Sequence, residues 1–124
     1  MRAMRETASW SKGTMGGDGD PLDCILLASS PTFPGCLVEA EPIGLLEMED
    51  EGGIDTKIIA VPTTKIDPRF EGINDVNDIS EHTKKEIKEF FENYKNLEPG
   101  KWVELKGFRP KHEAEKLIEK SSNL

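Results

Sequence analysis

The stretch Asp18-Gly19-Asp20-Pro21-Leu22-Asp23-Cys24 decides how this sequence is interpreted, because it places three carboxylates within six residues. Its glycine allows the backbone to turn and its proline restricts it. The apolar run that follows, CILLA at residues 24–28, predicts a buried strand. Carboxylates that repel one another at the mouth of a strand need a positive partner, and hard cations such as Mg²⁺ and Ca²⁺ prefer oxygen ligands. The stretch therefore predicts a divalent-cation site at the start of a strand.

Two other interpretations of this stretch are a solvated turn and a calcium-binding helix-loop-helix. An Asp-Gly pair is first of all typical of a turn, so a turn without a ligand remains an alternative. The calcium loop requires Asp or Asn at its third and fifth positions, glycine at the sixth and glutamate at the twelfth. Counted from Asp18, the fifth position is Leu22, the sixth is Asp23 and the twelfth is Ser29, so the helix-loop-helix is excluded.

The composition indicates one globular domain with an acidic balance of charge. A chain of 124 residues can build a single core. Its 16 Lys plus Arg and 24 Asp plus Glu give a net charge of −8 at pH 7. This charge argues against binding to nucleic acid or to an anionic membrane, which both require a basic face. It does not exclude phosphate ligands where bound cations invert the local field.

The location of the protein is predicted from its apolar runs and its cysteines. No apolar run approaches the ~20 residues of a membrane span, and no secretory signal follows the first arginines. Cys24 and Cys36 both lie in apolar surroundings and are predicted to be free buried thiols. We therefore expect a cytoplasmic protein.

A second acidic cluster is predicted at a hairpin. Strands are predicted over residues 36–41, 44–48 and 56–61, with Pro42 limiting the first of them. The Gly-Gly centre of EDEGGID, residues 49–55, predicts a hairpin loop between the last two strands. This hairpin brings Asp50 and Asp55 together at one end of a sheet, and alternation puts Lys57 on the same face as Asp55.

The secondary structure of the remaining segments is predicted from the spacing of their apolar residues and from their proline and capping residues. Residues 1–12 show neither strand nor helix period and are predicted to be a poorly ordered leader, separate from a domain over residues 13–124. A helix is predicted over residues 78–95, started by a capping box of Asp78 and Glu81. Its core-facing stripe is predicted to be Ile87, Phe90, Phe91 and Tyr94. A strand over residues 101–108 and a helix opened by Pro110 complete the chain, with Ala114, Leu117 and Ile118 facing inward.

Several separated motifs resemble those of the soluble inorganic pyrophosphatases of family I. In chain order they are DGDPLDC (18–24), DEGGIDTK (50–57), VP (61–62), DVND (75–78), FFENYKNL (90–97) and GKWV (100–103). The resemblance runs from about residue 13 to the last helix. It implies a mainly β fold with flanking helices (α+β), a small barrel of about five strands of the oligonucleotide-binding type.

The resemblance also implies hydrolysis of pyrophosphate to two phosphates by a metal-activated water, with Mg²⁺ or another divalent cation. By position, the implied metal ligands are Asp18, Asp23, Asp50 and Asp55. The implied general base beside the attacking water is Asp20, and Lys57 and Glu51 are grouped with it as catalytic. The implied ligands of the phosphate oxygens are Lys57, Tyr94 and Lys95. Family members are commonly homo-oligomers, hexamers or dimers.

The resemblance is incomplete before residue 13. Family members usually carry several dozen more residues there, with barrel strands and further phosphate ligands, so the barrel is expected to be incomplete at its N-terminus. Besides an active enzyme, the sequence permits a weak or inactive truncated form that binds divalent metal or associates with full-length subunits. An oligonucleotide-binding barrel is disfavoured by the charge of −8 and by the lack of aromatic-basic alternation on the strands.

Overall fold

The structure is a computed structural model that describes residues 4–10, 22–28, 39–93, 100 and 102–122. The strands within these residues are β1 (Met4–Trp10), β2 (Leu22–Ala28), β3 (Ala40–Asp50), β4 (Gly53–Ile54), β5 (Lys57–Pro62) and β6 (Val103–Pro110). The α-helices are α1 (Glu81–Asn93) and α2 (Lys111–Ser122), and two 3₁₀ turns, Pro68–Phe70 and Val76–Asp78, lie between β5 and α1. Neither α-helix combines the length and the hydropathy that a membrane span requires.

Strand β3 is the strand on which the sheet is built. It pairs antiparallel with β5 and β4 along one edge and with β6 along the other. Strand β5 pairs in parallel with β2, and β2 pairs antiparallel with β1. Within the described residues the sheet therefore begins at β1 and ends at β6, and these two strands do not pair with each other. An open sheet of six strands with two flanking helices confirms the predicted α+β class with an incomplete barrel.

The two faces of the sheet pack against different helices. One face packs against α1 and the 3₁₀ turns, and its side chains from β2 and β5 are Ile25, Leu27, Ile59 and Val61. The opposite face packs against α2, and its side chains from the same strands are Cys24, Leu26, Ile58 and Ala60. Because side chains alternate along a strand, Asp23 and Lys57 belong to the α1 face.

Residues 1–12 were predicted to be a poorly ordered leader, and this is wrong for Met4–Trp10. These residues form β1, which pairs with β2 along its whole length, from Met4 opposite Ala28 to Trp10 opposite Leu22. Their sequence has no strand period, so the pairing comes from the neighbouring strand and not from local pattern. The boundary between residues 12 and 13 stays a prediction.

The prediction that Pro42 limits a strand is also wrong, because β3 continues through it from Ala40 to Asp50. The register with β5 shifts between Pro42 and Gly44, so the proline lies at a bulge, where it need not donate to a ladder. Gly44 lies at a close approach between elements. A Cβ there would be 2.5 Å from the carbonyl oxygen of Arg109 and 2.8 Å from the Cβ of Val76. Residues 36–38 of the predicted strand lie outside the described residues.

Helix α1 begins differently from the prediction. The Oγ of Ser80 accepts a hydrogen bond from the Thr83 backbone N–H at 3.1 Å, so Ser80 caps the helix. The predicted box of Asp78 and Glu81 is therefore wrong. Asp78 instead forms a capping box with Asp75 around the second 3₁₀ turn.

The predicted stripes of the two helices are confirmed in part. On α1, Ile87 and Phe91 are buried, but Phe90 is 45% exposed and stacks edge-to-face on Phe91 instead of entering the core. Tyr94 lies outside the described residues. On α2, Ala114 is buried and Leu117 and Ile118 pack beside it, as predicted. Pro110 is the last residue of β6, and α2 starts at Lys111.

Asp75 joins α2 to the second 3₁₀ turn. Its Oδ1 accepts from the Asn77 N–H at 3.1 Å, and its Oδ2 accepts from the Lys111 N–H, at the start of α2, at 3.0 Å. Burial acts to raise the pKa of the Asp75 carboxyl. The two amide donors and the positive charges of His112 and Lys111 outweigh it, so the pKa lies below its usual range.

Replacing Asp75 should destabilise the fold in a pH-dependent way. Asp75→Ala removes the acceptor of both N–H groups, and a lost cap of this kind costs about 1 kcal/mol of unfolding free energy. Because the folded-state pKa is lowered, the stabilisation is complete above the ordinary Asp pKa of about 4 and is lost as the pH falls below it. Urea unfolding at pH 7 and pH 3 measures both effects. Glu115→Ala, at an exposed position of α2, is the control; an equal loss there, or a pH-independent loss at Asp75, would contradict the assignment.

Candidate functional site

The predicted site residues that the structure describes lie at one end of the sheet. Asp23 is near the start of β2, and Lys57 is the first residue of β5. The parallel register that aligns Cys24 with Ile58 places Asp23 beside Lys57. Asp55 precedes Lys57 by two residues, and its carboxylate contacts the Lys57 ammonium.

The Lys57 ammonium bridges the two carboxylates. The Lys57 side chain is only 8% exposed, and its Nζ lies 3.1 Å from Oδ2 of Asp23 and 3.1 Å from Oδ2 of Asp55. Nζ also donates to Oδ1 of Asp55 at 3.3 Å. Oxygens from two segments of the chain thus hold one buried positive charge. Asp23 is 34 residues from Lys57 in the sequence, and Asp55 is two residues from it.

The aromatic ring of Phe91 completes the surroundings of this ammonium. Its centroid lies 5.8 Å from Lys57 Nζ, within the range of a cation–π interaction. The sequence predicted Phe91 only as a core residue of α1. No pattern in the sequence separates a phenylalanine that only fills the core from one that also contacts a site lysine.

The charge of Lys57 is stabilised against its burial. Burial acts to lower the pKa of the ammonium, but the charge of Asp55 and the hydrogen bond and charge of Asp23 outweigh it. The pKa of Lys57 is therefore raised, and the side chain is positive at neutral pH. The same cluster affects its neighbour Cys24, because burial and the charge of Asp23 raise the pKa of the thiol to about 12.

The predicted hairpin is confirmed and holds the second acidic segment. Asp50 ends β3, and its Oδ1 accepts from the Gly52 N–H at 2.8 Å within the turn. Gly53 takes a φ of +113°, which favours glycine. On the returning arm, the Asp55 N–H donates to the carbonyl of Met48 at 2.9 Å. Asp50 and Asp55 therefore lie on opposite arms of one tight hairpin.

Glu51 has a contact that the sequence did not predict. Its Oε2 accepts from the Trp102 N–H at 3.3 Å, which joins the β3–β4 turn to the residue before β6. The two residues are 51 positions apart, so nothing local in the sequence indicates this hydrogen bond.

Four predicted site residues lie outside the described residues: Asp18, Asp20, Tyr94 and Lys95. Within the described ranges, no three Asp, Glu, His or Cys side chains are grouped so that they could hold a metal ion. The described part of the site is therefore the pair Asp23 and Asp55 around Lys57, with Asp50 and Glu51 on the neighbouring turn.

The donor chemistry of this pair fits a hard divalent cation. Both residues offer carboxylate oxygens, which suit Mg²⁺ and Ca²⁺. Their side chains keep a solvent-facing side, 49% exposed for Asp23 and 25% exposed for Asp55. The arrangement already holds one positive charge between them. The two side chains thus match a hard divalent cation in their donor atoms, their accessibility to solvent and the sign of their charge.

Comparisons with known proteins agree on one family. A family model described as inorganic pyrophosphatase matches residues 7–124, so the match begins within β1. The chain is 49% identical over 109 residues to an inorganic pyrophosphatase of Aeropyrum pernix, which covers 88% of this chain and 62% of the relative. Its identity to an inorganic pyrophosphatase of Helicobacter pylori is 49% over 108 residues, with 87% and 62% covered. The chain thus spans about 62% of the length of these curated relatives.

Solved structures give the same result for the fold. A Helicobacter pylori inorganic pyrophosphatase superposes with a TM-score of 0.86 at 47% identity, over 90% of this chain and 66% of that one. A Thermus thermophilus inorganic pyrophosphatase superposes with a TM-score of 0.84 at 42% identity, over 90% and 64% of the two chains.

Removing one of the two carboxylates that contact Lys57 should lower the stability of the chain in the absence of divalent cations. Asp55→Asn leaves the buried ammonium with Asp23 alone, and we expect a loss of about 1–3 kcal/mol in unfolding free energy, below the ~3–5 kcal/mol of a fully buried pair. Denaturant unfolding in a chelator measures it. Glu49→Gln is the matched control, because Glu49 contacts Lys106 in a similar pair with half-exposed side chains and should change stability little. Equal losses in both variants would show that the burial of Lys57 adds nothing.

Proposed function

The chain belongs to the inorganic pyrophosphatase family, and from this membership we propose that it hydrolyses inorganic pyrophosphate to two phosphates in a reaction that requires Mg²⁺ or another divalent cation. The family membership also confirms the resemblance seen in the motifs. The single observation that carries the proposal is the buried Lys57 between Asp23 and Asp55, at the sheet end where two of the acidic motifs meet.

The charge of this cluster supports a requirement for cations. One ammonium against two carboxylates leaves a net negative charge, and the whole chain carries −8. Pyrophosphate is itself a multiply charged anion, so this surface would repel it. A bound divalent cation would supply the missing positive charge and would lower the pKa of a coordinated water. We assign Asp18, Asp23, Asp50 and Asp55 to hold it.

The chain's own residues would then divide the reaction between proton transfer and charge stabilisation. We assign Asp20 as the general base that accepts the proton of the attacking water while the bridging P–O bond breaks. The phosphate oxygens would be bound by Lys57, Tyr94 and Lys95, whose donors stabilise charge on the departing phosphate. Glu51 would serve this group indirectly, by fixing the turn through its hydrogen bond to Trp102.

A second candidate function follows from the topology. Within the described residues the sheet is open, because β1 and β6 do not pair with each other. This openness favours a weakly active or inactive form that binds divalent metal or associates with longer subunits. Joining a family-type N-terminal segment before Gly13 distinguishes the two, because a large gain in phosphate release at equal concentration supports the second candidate. Equal rates for two folded proteins support the first.

We also propose self-association, as a hexamer or dimer, and a cytoplasmic location. The exposed side chains of Phe90 and Trp102 offer apolar surface for a second copy, and light scattering at micromolar concentration would give the mass. Cys24, a free and buried thiol, suits a reducing compartment.

Replacing a proposed metal ligand and replacing the proposed general base should have different effects on Mg²⁺ binding and on turnover. Phosphate release from pyrophosphate should require Mg²⁺ and cease in a chelator. Asp23→Asn should weaken Mg²⁺ binding in calorimetry, because it removes a proposed ligand. Asp20→Asn should lower turnover on the order of 100-fold or more, as expected for loss of a general base, with little change in Mg²⁺ affinity.

Glu104→Gln, at an exposed position of β6, is the control for both variants and should change neither quantity. If Asp20→Asn reduces affinity and turnover in proportion, Asp20 belongs to the ligand set. Unchanged Mg²⁺ affinity in Asp23→Asn would remove Asp23 from it.

A further inference from the structure

Lys57 occupies the place between two proposed cation ligands. Its Nζ lies 3.1 Å from an oxygen of Asp23 and 3.1 Å from an oxygen of Asp55, so one ammonium satisfies both carboxylates. Its side chain is 8% exposed, and water therefore screens these contacts only weakly. A divalent cation bound to the same oxygens would meet a positive charge already in place.

Without a positive group, the two carboxylates would repel each other across a partly buried space. Lys57 removes this repulsion in the cation-free chain. The ammonium and a divalent cation nevertheless use the same oxygen lone pairs and repel each other at such distances. Occupation of both carboxylates by one of them therefore disfavours the other.

We propose that Lys57 is an internal counter-cation, which holds Asp23 and Asp55 in position in the cation-free chain and is displaced from them when a divalent cation binds. This inference rests on the proposed function, since the ligand roles of the two aspartates belong to it. Its consequence is an order of events. The ammonium is released toward an anionic substrate only after the divalent cation has taken over the carboxylates.

The surroundings of Lys57 suit a group that changes partners. Nζ already lies 5.8 Å from the centroid of the Phe91 ring, and this cation–π contact does not involve the carboxylates. Lys57 begins β5, which pairs in parallel with β2 and antiparallel with β3, and all of its residues are buried. The paired backbone is therefore held in place while the side chain can change partners.

Lys106 provides a matched comparison within the same chain. Its Nζ also lies between two carboxylates, 3.5 Å from Glu49 and 3.4 Å from Glu104. The Lys106 side chain is 43% exposed, and neither of its partners is a proposed ligand. The same substitution at both lysines therefore separates displacement at the site from a general loss of positive charge.

The test is calorimetric binding of Ca²⁺ in the absence of pyrophosphate, with the full chain, Lys57→Met and Lys106→Met. We expect Lys57→Met to bind Ca²⁺ more tightly, on the order of tenfold, because a competing charge is gone. The cation-free variant should also melt at a lower temperature, with a larger upward shift on adding Ca²⁺. Lys106→Met should match the unchanged chain in affinity. Lys57→Gln, which keeps a polar group without the charge, should behave as Lys57→Met does.

Each other outcome overturns the inference in a distinguishable way. If the unchanged chain binds Ca²⁺ and both Lys57 variants bind it with equal or weaker affinity, displacement is refuted. The proposed function would still stand. A role of Lys57 limited to phosphate predicts equal affinity, and a purely structural role predicts weaker affinity. Absence of Ca²⁺ binding in every protein would refute the ligand assignments of the proposed function as well. Failure of both Lys57 variants to fold, with or without Ca²⁺, would show that Lys57 supports the fold independently of a cation.

Discussion

The burial of one ammonium between two carboxylates is the constraint on which the site depends. Burial acts to lower the pKa of Lys57, and its contacts with Asp23 and Asp55 outweigh that effect, so the ammonium stays charged. Those contacts in turn require the parallel pairing of β2 with β5, which sets Asp23 beside Lys57. The hairpin from β3 to β5 then returns Asp55 to the same end of the sheet. The electrostatics of the site therefore depend directly on the strand pairing and on the hairpin.

Much of this site was predictable from local pattern. The acidic motif before an apolar run located Asp23 at a strand start, and the Gly-Gly loop located Asp50 and Asp55 on the arms of a hairpin. Alternation placed Lys57 with Asp55. The sequence could not show that Lys57 is shared with Asp23, because that contact joins segments 34 residues apart. The contact with Phe91 was not predictable for the same reason, since it depends on how α1 packs on the sheet.

The failed predictions have two physical causes, pairing between strands and competition between local caps. Strand β1 exists because β2 offers a partner edge, although residues 4–10 carry no strand period. Pro42 is tolerated inside β3 because a bulge there spares its missing N–H. Ser80 caps α1 because Asp78 is already engaged by Asp75 in the preceding turn. In the first two cases pairing with a neighbouring strand outweighed the local pattern, and in the third a second local cap competed for Asp78.

The proposed exchange at Asp23 and Asp55 replaces the Lys57 ammonium with a divalent cation. A crystal structure of the chain grown with Mn²⁺, with anomalous scattering used to locate the ion, tests it most directly. We expect an anomalous peak within coordination distance of carboxylate oxygens of both aspartates, with Lys57 Nζ withdrawn from at least one of them. Mn²⁺ bound elsewhere, with Nζ still bonded to both carboxylates, would contradict it.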